Sequence, residues 1–164
     1  MNRFHSLLAL PLLALAASGT ALAQSATTDF EVRIDITSTC HFAADATDVD
    51  FGSVASTATD VTASGALSVL CTPGTDFSIA LDAGQNGDAG QRGMASIGTG
   101  DTVPYELFQD ASLQEPWGVG AGTNAYSGTG TGSAETVEVY GRVPSANFRA
   151  GDDYSDTVTA TITY

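Results

Sequence analysis

From residue 28 the chain alternates strictly. In TDFEVRIDI (28–36), Phe30, Val32, Ile34 and Ile36 are apolar, and Asp29, Glu31, Arg33 and Asp35 between them are polar. A strand repeats every two residues, so the four apolar side chains share one face. The same rule predicts strands in GALSVLC (65–71), with Leu67, Val69 and Cys71 facing inward, and in TDFSIAL (75–81), with Phe77, Ile79 and Leu81 aligned. VPYELFQ (103–109) and ETVEVYGRV (135–143) repeat it, VDFGSV (49–54) is a shorter candidate, and YSDTVTATITY (154–164) alternates Val158, Ala160, Ile162 and Tyr164 with threonines. Thr72-Pro73-Gly74 reads as a turn, and DAGQNGDAGQRG (82–93) and GVGAGTNAYSGTGTGS (118–133) read as loops. Beyond residue 23 no window carries the 3.6-residue apolar repeat of a helix. About seven or eight short strands with no helices between them predict an all-β, antiparallel β-sandwich of one domain, without internal repeats.

The first 23 residues follow a different grammar. Arg3 and His5 precede an apolar run from Leu7 to Ala17, and Ala21-Leu22-Ala23 has the form of a cleavage site. Residues 1–23 are expected to be a secretory signal peptide, too short in its apolar part to span a bilayer. No later apolar run reaches the roughly 18 residues of a membrane helix. The mature chain is expected to be secreted and soluble, with no membrane insertion. TDFEVRIDI then lies near a free end, where chains are poorly ordered unless something ties them down.

Charge narrows the partners. All 19 acidic residues lie beyond residue 23, against four arginines and no lysine. Nucleic-acid binding and attraction to anionic lipid need basic patches, and both are excluded as expectations. Two cysteines, Cys40 and Cys71, in an exported chain read first as a disulfide. They cannot complete a structural zinc site with His41, the one histidine beyond residue 23.

Catalytic chemistry finds little purchase. No serine stands in a nucleophile elbow, and Asp50-Phe51-Gly52 spells a kinase magnesium motif in a chain without lysine. No enzyme activity and no cofactor is expected. Asp82, Asn86 and Asp88 supply oxygen ligands of the kind calcium takes, but without the spacing of an EF-hand, and a glycine-rich loop explains them equally. Trp117 and Tyr126, set among glycines, offer a second reading of the chain as a carbohydrate- or surface-binding adhesin module.

Among ways of building surface filaments, sortase linkage needs a lysine nucleophile, and type IV pilins keep a long apolar helix where this chain has a strand pattern. What remains is strand addition, in which an extended segment of one chain completes the sheet edge of another.

At this point the residues resemble the spore coat protein U domain family, which includes the archaic chaperone–usher (Csu-type) pilins. The likeness covers the whole mature chain. It runs from the alternating strand before Cys40 through Asp50-Phe51-Gly52, Cys71-Thr72-Pro73, Arg92-Gly93-Met94, Tyr105-Glu106-Leu107-Phe108 and Trp117-Gly118. It is strongest in Tyr140-Gly141-Arg142-Val143-Pro144 and in the run from Ala150 to Val158.

The resemblance implies an incomplete immunoglobulin-like sandwich lacking one strand. A periplasmic chaperone lends the missing strand, and an outer-membrane usher exchanges it for the N-terminal segment of the next subunit, a copy or a related chain. On this sequence residues 24–36 become the donor segment, with Phe30, Val32, Ile34 and Ile36 as its inserted side chains. Residues 37–164 become the single pilin domain, and Val158, Ala160, Ile162 and Tyr164 part of the acceptor groove. Cys40 and Cys71 would tie the first domain strand to an inner one, and Thr37-Ser38-Thr39 is the hinge. The expected function is a non-catalytic structural subunit of a cell-surface pilus or coat. Whether the donor segment is free or docked on its own sheet is left open.

Overall fold

The computed structural model describes residues 23–87, 90–119, 124–146 and 153–164. The chain separates into two units, Met1–Asp35 and Ile36–Tyr164. In the first, residues 23–35 form no strand, and Phe30, Val32 and Ile34 are 83%, 85% and 84% exposed.

The second unit is all-β. Among the described residues its strands are β1 (Cys40–Thr47), β2 (Thr59–Cys71), β3 (Asp76–Leu81), β4 (Arg92–Ser96), β5 (Thr102–Phe108), β6 (Tyr126–Thr129), β7 (Glu135–Ser145), β8 (Tyr154–Ser155) and β9 (Ala160–Thr163). They form two sheets, one in the order β1-β2-β7-β5-β4-β8 and a smaller one in the order β6-β3-β9, with antiparallel pairing throughout. Neither sheet includes a strand from residues 23–39.

The alternation read from the sequence is the alternation of burial. Leu67, Val69 and Cys71 of β2, Phe77, Ile79 and Leu81 of β3, Val103, Tyr105 and Leu107 of β5, and Val137, Val139 and Val143 of β7 form the core. Their intervening neighbours face outward, as period two demands. β2 and β7 pair along almost their whole length, from Thr59 opposite Ser145 to Val69 opposite Glu135, and make the backbone of the larger sheet.

Four sequence expectations are corrected. VDFGSV is not a strand: Asp50 Oδ1 accepts the Gly52 N–H at 2.8 Å, and Gly52 turns with φ +65°. Its apolar residues are used without a ladder. Val49 and Phe51 pack over Gly141 of β7, where a Cβ would come within 2.6 Å of Val49 and 2.8 Å of Phe51. Gly65 of β2 makes the same room for Thr47 and Asp48, since a Cβ there would lie 2.3 Å from the Thr47 carbonyl. The chain leaving β1 thus crosses the inner face of the larger sheet on two glycines.

The expected loops 82–93 and 118–133 both contain strand: β4 starts at Arg92, inside the first, and β6 (Tyr126–Thr129) lies within the second. In β4 the most buried side chain is Arg92, at 3% exposure, so no apolar signal marks the strand. In β6 the position opposite Phe77 is Gly128, which leaves space for the Phe77 ring. The C-terminal run is broken in two: β8 belongs to the larger sheet and β9 to the smaller, and residues 156–159 carry the chain across.

Candidate functional site

The site of interest is the edge of the smaller sheet formed by β9. Among the described residues it pairs with β3 alone, with Ile162 opposite Ile79 and Ala160 opposite Leu81. Residues directly opposite on paired strands share a face, so Ala160 and Ile162 face the core with Ile79 and Leu81. One residue beyond Thr163, which pairs Ser78, Tyr164 falls opposite Phe77 on that same face.

Coverage differs sharply between the two strands. Phe77, Ile79 and Leu81 are 5%, 0% and 4% exposed, whereas Val158, Ala160 and Ile162 are only half-buried against the core and Tyr164 is 58% exposed. A strand whose core-facing side chains stay wet, and whose outer N–H and C=O groups pair with no strand among the described residues, has the form of an acceptor edge. β9 approaches within 8 Å of β1, the edge of the larger sheet, without bonding to it. On β1, Phe42 is half-buried opposite Val69.

Cys40 opens β1 directly opposite Cys71, and the two form a disulfide across 31 positions of sequence. Just before it, the Thr72 N–H donates to the Thr39 carbonyl at 2.9 Å, and the Thr39 N–H donates to Thr72 Oγ1 at 3.1 Å. Thr39 is therefore fastened to the domain, which leaves Thr37 and Ser38 as the uncommitted residues of the expected hinge. Ile36, just before them, is 74% exposed.

β9 is held at its start by a polar cluster that pattern reading missed. Asp82 Oδ1 accepts the N–H groups of Thr159 and Gly84, each at 2.9 Å, and the Asp82 N–H donates to the Thr159 carbonyl at 3.0 Å. Asp156 accepts the Tyr105 hydroxyl at 2.7 Å, the Gln85 N–H at 2.9 Å, and the Asn86 backbone and side-chain N–H groups at 3.2 and 3.1 Å. Arg92 donates to the carbonyls of Asp82, Leu81, Trp117 and Gly118 at 2.8–3.3 Å. Burial pushes the Arg92 pKa down against the pull of Tyr105, Asp82 and Asp156. Burial, then the Asp156 bond, pushes the Tyr105 phenol up, so it stays a neutral donor. Burial alone would raise Asp82, but the bonds from Thr159 and Gly84 and the nearby Arg92 leave it below the usual carboxylate range.

The residues weighed as calcium ligands are thus partly committed elsewhere: Asp82 Oδ1 to backbone N–H groups, and the Asn86 amide to Asp156 and the Ser155 carbonyl. Asp88 lies outside the described residues. Trp117, the proposed sugar platform, is 3% exposed and stacks on Tyr126 with ring centroids 6.2 Å apart. Its face is part of the core and offers nothing to a sugar. No helix among the described residues is long and apolar enough to cross a membrane.

Comparison with known proteins agrees with this architecture. The Spore Coat Protein U domain matches residues 26–161. Protein U of Myxococcus xanthus is 34% identical over 111 residues, which cover 64% of this chain and 62% of that protein, so the chain spans less than two thirds of its relative. The fold is similar to one in the crystal structure of the CsuC–CsuE chaperone–tip adhesion subunit pre-assembly complex from archaic chaperone–usher Csu pili of Acinetobacter baumannii. That match has a TM-score of 0.55 at 19% identity and covers 79% of this chain and 40% of the other. With the family's domain spanning both the alternating N-terminal stretch and nearly all of the sandwich, the chain belongs to the Spore Coat Protein U domain family.

Proposed function

We propose that the chain is a non-catalytic structural subunit of a pilus-type surface fibre or coat, joined to its neighbours by donation of residues 24–36. The observation that carries this reading is a match of spacing. An exposed apolar stripe at Phe30, Val32, Ile34 and Ile36 has the same period as the half-covered positions Val158, Ala160, Ile162 and Tyr164 on an unpaired edge. Burying four such side chains gains on the order of 6–12 kcal/mol before ordering costs. Membership of the family and the fold shared with a pilus subunit held by its chaperone support it. Export through residues 1–23, handover from a periplasmic chaperone and assembly at an outer-membrane usher belong to the same proposal.

The topology supports one direction for the proposed joint. β1 begins opposite Cys71, and the following turn leads into β3, whose Phe77 lies opposite Tyr164. The exit of the donor segment and the end of β9 are therefore at the same pole of the sandwich. In a head-to-tail array each subunit presents that pole to the far pole of the next. The inserted segment then runs antiparallel to β9 and parallel to β1. Aligning the stripes places Phe30 at Tyr164, Val32 at Ile162, Ile34 at Ala160 and Ile36 at Val158. Only Thr37–Thr39 separate Ile36 from Cys40, a reach of roughly 14 Å at full extension, so neighbouring domains abut.

Deleting residues 24–36 tests the reading. The truncated subunit should still be held by its chaperone but should donate to no neighbour; wild-type-like polymers from it would sink the assignment.

A further inference from the structure

We infer that Asp156, together with Asp82, is a positioning residue for the acceptor edge: it holds β9 in place while no partner strand is bound. This rests on the strand-exchange reading for its purpose, but not for its structural content. Among the described residues β9 has one hydrogen-bonded neighbour, with a ladder from Ala160 to Thr163, and its inner face is half-wet. Edges of this kind fray, because few buried contacts oppose local opening. An incoming strand needs the opposite: an edge already straight and in register, so that ordering costs are not added to each joining event.

The restraint lies in the four residues that precede β9. Residues 156–159 cross from the larger sheet to the smaller one, and both ends of the crossing are tied. At Thr159, Asp82 supplies a carboxylate oxygen to the N–H and its own N–H to the carbonyl, extending the β3–β9 ladder by one reciprocal pair. At the other end the Asp156 carboxylate collects donors from β5, through Tyr105, and from the loop after β3, through Gln85 and Asn86.

The seat for Asp156 is built into the backbone. Gly84 lies directly under the carboxylate, has φ +78°, and a Cβ there would overlap the Asp156 oxygens. Arg92 closes the cluster from the other side, binding the carbonyls of Leu81 and Asp82 at the end of β3. The same cluster, half-buried at its carboxylates and buried at Arg92 and Tyr105, therefore fixes the end of β3 and the start of β9, the two strands whose register defines the edge.

Amide hydrogen exchange on the full-length chain, with capture of a synthetic TDFEVRIDI peptide as a second readout, tests the assignment. In Asp156→Ala, the Thr159 amide and the β9 amides bonded to β3 should exchange at least tenfold faster, with β2 and β7 unchanged, and peptide capture should slow. Asp156→Asn should recover most of the protection, because its amide oxygen still accepts the Gln85 and Asn86 N–H groups. Should Asp156→Ala fail to fold, Tyr105→Phe, which removes one donor from the carboxylate, should show the same local pattern more weakly. Unchanged exchange at β9, or equal acceleration in every strand, would overturn the positioning role. Exchange decides that role by itself; a wild-type chain that captures no peptide would instead count against strand exchange.

Discussion

Arg92 enters the sequence as a charge in a glycine-rich stretch and ends in the structure beneath four carbonyl oxygens. Replacing it with leucine would strand those acceptors and remove the cation facing Asp82 and Asp156. The expected loss is about 3–5 kcal/mol, read from the urea unfolding midpoint. Cys40 and Cys71 were legible as a pair from compartment and number alone. Closing their 31-residue separation should stabilise the fold by roughly 3–4 kcal/mol, and a double alanine variant should lose about that much. Asp82 and Tyr105 set opposite ends of the pH profile. The Asp82 pKa is depressed in the fold, so its contribution is complete above the unfolded value and is lost as pH falls through the folded one. The Tyr105 pKa is raised, so its contribution is complete below about pH 10 and is lost as pH climbs beyond. Asp82→Asn should flatten the acid limb and Tyr105→Phe the alkaline limb of stability measured against pH.

Elements were legible where burial alternates on a strand with neighbours on both sides. β3, β5, β7 and the second half of β2 announce themselves through Phe77, Ile79, Leu107, Val139 and Val69, because each is covered from the facing sheet. β4, β6 and the crossing segment were not. β4 buries an arginine, and β6 turns Tyr126 and Gly128 inward, so neither shows an apolar alternation. The last run does alternate, from Tyr154 through Val158 to Ile162, and this hides the place where the chain changes sheet. The signal that would have marked it is Asp156, an acid at an inward-phased position. VDFGSV misleads for the converse reason: Val49 and Phe51 are half-buried, but by plugging over Gly141 rather than by pairing, and Val54 stays exposed. Gly141→Ala should therefore cost about 1–3 kcal/mol through overpacking, seen as a lowered thermal midpoint, with the disulfide still formed.

At the scale of the molecule, the proposed donor segment and the proposed acceptor edge are two defects of opposite kind. One is an apolar stripe without a sheet, the other a sheet edge whose apolar face is half-covered. The stripe was fully legible, because period two needs no tertiary context. The edge was legible only as residues, since being an edge depends on which strands lie beside it. With 19 acidic residues and no lysine, charge repulsion opposes non-specific association of such defects, and the proposed joint relies on main-chain pairing instead. Ile34→Asp should accordingly weaken joining while leaving the unfolding midpoint of the donor's own domain within about 0.5 kcal/mol of wild type.

The most direct test is cysteine trapping across the joint. Copies carrying Val32→Cys, assembled with copies carrying Ile162→Cys, should form an intermolecular disulfide on mild oxidation, while Val32→Cys with Ala160→Cys should not. Cross-linking of the 32/162 pair at the level of two positions on unrelated surfaces would contradict the account.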